Sequence, residues 1–165
     1  MPTTQARDRL LAAAVSHALQ AGIADLSLRE LAAVTKEVES QQRNVLLTSG
    51  AVTPQDARQA WRRISDPGLW PQERLFFELY AHALLGRPGT EGFLDEVVDA
   101  WVTPIAGALS SAGADERTAR SDARLAVAVV RGLLLDLLAT KDRAGVDDAY
   151  ERFIRHADRT TSVDS

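Results

Sequence analysis

Side chains able to do chemistry are sparse in this sequence. His17, His82 and His156 are scattered, with no two at a spacing that would bring both imidazoles onto one helix face to hold a metal. There is no cysteine, which removes thiolate nucleophiles, thiolate zinc sites and disulfides together. Gly-x-Gly-x-x-Gly and phosphate-loop patterns are missing, and the Ser-rich and Asp-rich spots fall where caps and turns need them. The chain is therefore expected not to be an enzyme and to carry no cofactor and no metal.

What remains is the chemistry of helix ends. Ser27 followed by Glu30 is a capping box, in which the hydroxyl accepts from the Glu30 amide and the carboxylate reaches back to the Ser27 amide. Leu26 and Leu31 have hydrophobic-staple spacing around it, so a helix starts at Leu28. Ala21-Gly22 reads as the end of an earlier helix, because glycine accepts the left-handed conformation there. Two helices separated by Gly-Ile-Ala-Asp-Leu-Ser form the entry to a helix-turn-helix. Arg7 and Thr4 lie near the start of the first helix, where a phosphate can be reached.

Arg9-Leu10-Leu11-Ala12-Ala13-Ala14, Ala21-Gly22-Ile23 and Leu26-Ser27-Leu28-Arg29-Glu30-Leu31-Ala32 together resemble the amino-terminal part of a TetR-family transcriptional regulator. The resemblance is specific over Gln5 to Ala33 and architectural beyond. It implies an all-α, TetR-like helical bundle, with an N-terminal helix-turn-helix region and a C-terminal ligand-binding and dimerisation domain. It also implies a homodimer that binds a pseudo-palindromic operator as a repressor and releases it when a small-molecule effector enters the helical core. In such a protein Ser27 and Arg29 would contact the DNA backbone, positioning the molecule without reading bases.

The pattern breaks after Ala33. Val34-Thr35-Lys36-Glu37-Val38-Glu39-Ser40-Gln41-Gln42-Arg43 reads like the linker helix that follows a recognition helix, and a turn, recognition helix and link of about twenty residues do not intervene. The helix-turn-helix is thus incomplete, and the resemblance implies a segment between Ala33 and Val34. Taken as continuous, Leu28 to Leu47 would instead form one helix. The alternative function is then a dimeric ligand-binding or interaction module that does not bind DNA.

Composition sets the remaining bounds. The 165 residues can enclose a substantial core, and a sequence rich in Ala and Leu with few aromatic residues is all-helical in character. A net charge of −4 opposes bulk electrostatic binding of nucleic acid, and in the first fifty residues the basic side chains are matched by acidic ones. No apolar run approaches the ~20 residues needed to cross a bilayer, and Met1-Pro2-Thr3-Thr4 leads into a charged helix rather than a signal peptide. A cytoplasmic protein without a membrane partner is expected.

Along the chain, apolar spacing predicts a first helix from about Gln5 to Gln20 and another from Val34 to about Thr48. Thr53-Pro54 starts the next, which ends before Asp66-Pro67-Gly68. Pro71 opens a helix through Leu85 that is apolar over most of its circumference. Thr90 caps one that contains a kinking Pro104 and closes at Ser110-Ser111-Ala112-Gly113. A long helix is predicted from about Asp115 to Thr140, and a short one from about Val146 to Ala157. The domains read as 1–35, 36–158 and a disordered tail over 159–165.

Two sets of residues follow for the larger domain. The family cavity among the middle helices makes His82, Trp61, Phe76, Phe77, Tyr80, Trp101 and Thr103 candidates for the effector pocket, with His82 as the polar anchor. The long helix carries more apolar surface than one subunit readily covers, so a two-fold interface is expected over Arg120 to Ala157. It would use Val129, Gly132, Leu133, Asp136, Tyr150 and Phe153, with Gly132 permitting close approach. Arg131 and Asp136, five residues apart, are candidates to pair across it.

Overall fold

The computed structural model describes residues 53–163, with side chains through Asp158, together with Ala32, Thr35, Lys36 and Ser40. The expected first helix, the capping box at Ser27 and the Ala33–Val34 junction lie outside the described residues, as do Thr4, Arg7, Ser27 and Arg29. Among the described residues every regular element is helical and there is no strand.

Helix α1 (Pro54–Ile64) begins on a complete capping box. Thr53 Oγ1 accepts from the Asp56 amide at 3.1 Å and Asp56 Oδ2 accepts from the Thr53 amide at 3.1 Å, with Pro54 at the first position. The Thr53 hydroxyl also donates to Asp56 Oδ2 at 2.6 Å, and this bond, with that from the Thr53 amide, holds the Asp56 carboxyl below its usual range. A 3-10 turn at Pro67–Leu69 leads directly into α2 (Trp70–Leu84). Gly86, at φ +65°, ends α2: the Arg87 amide donates to His82 O and the Gly86 amide to Ala83 O, the paired bonds of a Schellman cap.

The single helix expected after Thr90 is two, α3 (Phe93–Val97) and α4 (Asp99–Ser111). The break falls at Val98 and not at Pro104, which sits inside α4. There the Trp101 amide donates to Val98 O, and Arg131 Nη2 donates to Val97 O at 2.6 Å, satisfying the carbonyl that the break leaves without a helical partner. Thr90 is buried, and its hydroxyl donates back to Arg87 O.

Helix α5 (Glu116–Thr140) is capped by Asp115, whose carboxylate accepts from the Arg117 and Thr118 amides. It ends at Lys141, in the left-handed region at φ 62°. Helix α6 (Arg143–Val163) starts earlier than the apolar pattern indicates and runs past Ala157 into the segment read as a tail. Asp142 starts it by accepting from the Gly145 amide at 3.0 Å, and a Cβ at position 145 would collide with that carboxylate.

The chain divides into two compact units. One comprises Met1–Gln42 with Pro71–Asp95, and the other Arg43–Trp70 with Glu96–Ser165. The second holds α1 and α4 to α6. Its α4–α5 core is Val102, Ala123 and Val127, against which Val98, Trp101, Ile105, Ala106 and Leu109 pack.

Candidate functional site

The strongest side-chain constellation lies in the second unit, where α1 and α6 run antiparallel. Trp61 stacks on Tyr150 with ring centroids 4.7 Å apart, and each ring has its polar atom satisfied. Trp61 Nε1 donates to Asp147 Oδ1 at 2.7 Å, and the Tyr150 hydroxyl donates to Ala57 O at 3.0 Å. Arg58 meets Glu151 through two bonds of 2.7 and 2.8 Å, a bidentate pair that holds the Glu151 carboxyl below its ordinary range and raises Arg58. Burial pushes the Tyr150 hydroxyl up to about 12.

The same seam continues to the α5–α6 turn. Arg143 bridges Asp147 Oδ2 and Ser65 O, both at 2.7 Å, and Ser65 O also accepts from Trp70 Nε1 at 3.3 Å. Lys141 Nζ lies 4.7 Å from the centre of the Trp70 ring. Donors and acceptors here are matched to one another, so the arrangement positions helices and offers a substrate little. Trp61 and Tyr150 are committed to this seam. Tyr150, 5% exposed, supplies no outward surface for a second subunit.

In the first unit α2 carries an aromatic group. Phe76 contacts Phe77, Tyr80 and Phe93 with centroids 5.3, 5.7 and 6.2 Å apart, and Tyr80 meets Phe93 edge-on at 6.3 Å. His82 follows Tyr80 by two residues, about 200° around the helix, so the two flank opposite sides of the buried Leu79. His82 Nε2 lies 3.8 Å from Glu78 Oε1. Among the described residues, His82 Nδ1, Gln72 Oε1 and Thr35 Oγ1 are buried without a hydrogen-bond partner.

The expected pocket residues therefore divide. Phe76, Phe77 and Tyr80 form one ring cluster, and His82 is on the other flank of their helix. Trp61 belongs to the α1–α6 seam, Trp101 packs on the Val102 core, and Thr103 is exposed.

The outer face of α5 is the other feature that can bind something. Ser121, Leu125, Ala128, Gly132, Leu135 and Ala139 recur at alternating spacings of four and three, and all six are exposed. Leu125 and Leu135 show 55% and 52% of their surface. A Cβ at Gly132 would meet nothing within 4 Å among the described residues. Of the expected interface residues Gly132 and Asp136 lie exposed, Val129 and Leu133 are half-buried, and Phe153 is half-buried beside Tyr150 at 6.2 Å. Leu125, Ala128 and Leu135, which are not among the expected interface residues, lie on the same row as Gly132 at spacings of three and four.

Among the described residues no cluster of His, Asp and Glu could hold a metal ion, and no helix is long and apolar enough to cross a membrane. No protein-family model, no curated protein and no solved structure matches the chain.

Proposed function

We propose that the protein is a ligand-responsive transcriptional regulator of the TetR type, acting in the cytoplasm as a homodimeric repressor on a pseudo-palindromic operator. The observation that carries the dimer is the uncovered apolar row of α5. Two half-exposed leucines and a helical glycine, which costs about 1 kcal/mol relative to alanine, are arranged on a face that the described residues leave open. The aromatic group of α2 and the unpartnered polar atoms of Thr35, Gln72 and His82 support an effector site in the first unit. DNA binding rests on the resemblance over Gln5 to Ala33, with Ser27 and Arg29, and beyond them Arg7 and Thr4, on the backbone.

The test has two readouts. Light scattering should give twice the subunit mass, and selection from a random DNA pool should enrich an inverted repeat. A dimer that enriches no sequence favours the second reading, a dimeric helical module without DNA binding. One observation favours that reading: Ala32 and Thr35, on either side of the Ala33–Val34 junction, are both helical.

A further inference from the structure

We infer that α5 pairs with α5 of a second copy in parallel, in register, and not antiparallel. The inference rests on the dimer reading above and adds to it an orientation set by charge.

The exposed row has the alternating four- and three-residue spacing of a heptad, which keeps one stripe of a helix against a neighbour. Ser121, Ala128 and Leu135 occupy one of its two alternating positions, and Leu125, Gly132 and Ala139 the other. The residues bordering it differ in sign. Just before the second set stand Arg124 and Arg131, and one heptad earlier Arg117. Just after the first set stand Asp122, Val129 and Asp136. One border of the row is thus basic apart from Leu138, and the other acidic apart from Val129.

Packing alone does not choose an orientation. In parallel register Leu125 and Leu135 each face their own copy and Gly132 faces Gly132. In the antiparallel arrangement centred between Ala128 and Gly132, Leu125 faces Leu135 and Ala128 faces Gly132. Both arrangements place large against large and small against small.

Charge separates them. Parallel helices bring each basic border against the acidic border of the other copy, offset by five residues, so Arg117 meets Asp122 and Arg131 meets Asp136. The two-fold symmetry makes each pair twice. Antiparallel helices bring like borders together, setting Asp122 against Asp136 and Arg131 against Arg131. Arg117, Asp122 and Asp136 are exposed. Arg131 is half-buried and also holds Val97 O, so the Arg117–Asp122 pair carries more of the argument. A two-fold axis along α5 also places equivalent ends of both copies at the same end of the dimer, as two half-sites on one DNA duplex require.

The chain has no cysteine, so single-cysteine variants report orientation cleanly. Ser121 and Ala139 are exposed and eighteen residues apart, roughly 27 Å along a helix. Under mild oxidation Ser121→Cys alone and Ala139→Cys alone should each cross-link to a covalent dimer, and an equimolar mixture should yield no excess of the mixed species. A disulfide joining position 121 of one copy to position 139 of the other, formed only in the mixture, would establish the antiparallel dimer and overturn the orientation while leaving the dimer intact. A dimer by light scattering that cross-links in none of the three would overturn the use of this face. A monomer would overturn the dimer reading itself. As a second measure, Arg117→Asp and Asp122→Arg should each weaken self-association. Mixing those two variants should restore a dimer between them, and failure of that restoration overturns the charge pairing.

Discussion

The ring of Trp61 lies on the ring of Tyr150 at an interplanar angle of 17°, and Asp147 and Ala57 accept from the polar atom of each. Deleting either ring therefore breaks a stacked contact, and deleting Trp61 also leaves Asp147 without its indole donor. Trp61→Ala should cost about 3–5 kcal/mol, in the range for large aromatic truncations in a core. Tyr150→Phe keeps the stack and should cost about 1 kcal/mol. Urea unfolding of both variants checks the order, and equal losses would show that the hydroxyl, not the stack, dominates.

Tyr150 also gives the fold a limit in alkali. Its hydroxyl titrates at about 12 in the folded chain against an ordinary value of 10.0, so between these values the folded form keeps a proton that the unfolded form has lost. That contribution is fully present below pH 10 and is lost as the pH rises towards 12. Stability measured across this window should fall less steeply in Tyr150→Phe than in the parent.

At the acid end the relevant pair is Arg58 and Glu151. The Glu151 carboxyl is held below its ordinary value of 4.5, chiefly by its bonds from Arg58, so the unfolded chain takes up a proton first. The contribution is present above pH 4.5 and lost as the pH falls through the lowered value. Glu151→Gln should be less stable than the parent at neutral pH and should show a flatter acid limb. Parallel curves for the two proteins would refute the assignment.

Gly145 and Asp142 form one cap. Gly145→Ala drives a Cβ into the Asp142 carboxylate, so it should cost as much as Asp142→Ala, about 1 kcal/mol. The double substitution should cost little more than either alone, because the same bond is lost only once. Additive losses in thermal unfolding would mean that the two residues act separately.

Gly132→Leu fills space that the described residues leave open, so on the proposed dimer it should leave the far-ultraviolet circular dichroism spectrum unchanged and raise the dissociation constant tenfold or more. Unchanged association in sedimentation velocity would remove α5's outer face from the interface.

Local signals carried much of the helical architecture. Thr53-Pro54 with Asp56, Asp115, and the glycines at 86 and 113 are legible because a cap depends only on neighbours in sequence. The break at Val98 is not legible, since the donor that satisfies the freed Val97 carbonyl, Arg131, lies thirty-four residues away. The start of α6 was misplaced because Gly145 looks like a stop, and only the Asp142 carboxylate explains it as part of a first turn. The family resemblance puts Trp61, Tyr80 and Trp101 in one candidate pocket because its cavity lies among the middle helices. Periodicity tells that a residue is turned inward but not which neighbour it meets, and Trp61 is turned towards α6.

The link between α5 and α6 is only Lys141 and Asp142, and it works as a phase lock. Adding one residue there would rotate α6 by about 100° and carry Arg143, Asp147, Tyr150 and Glu151 away from α1 in a single step. The loss would be cooperative, out of proportion to one exposed insertion. A fluorophore or an affinity tag inserted into this chain thus belongs in the exposed link at Ala112-Gly113, where no contact of the α1–α6 seam depends on spacing.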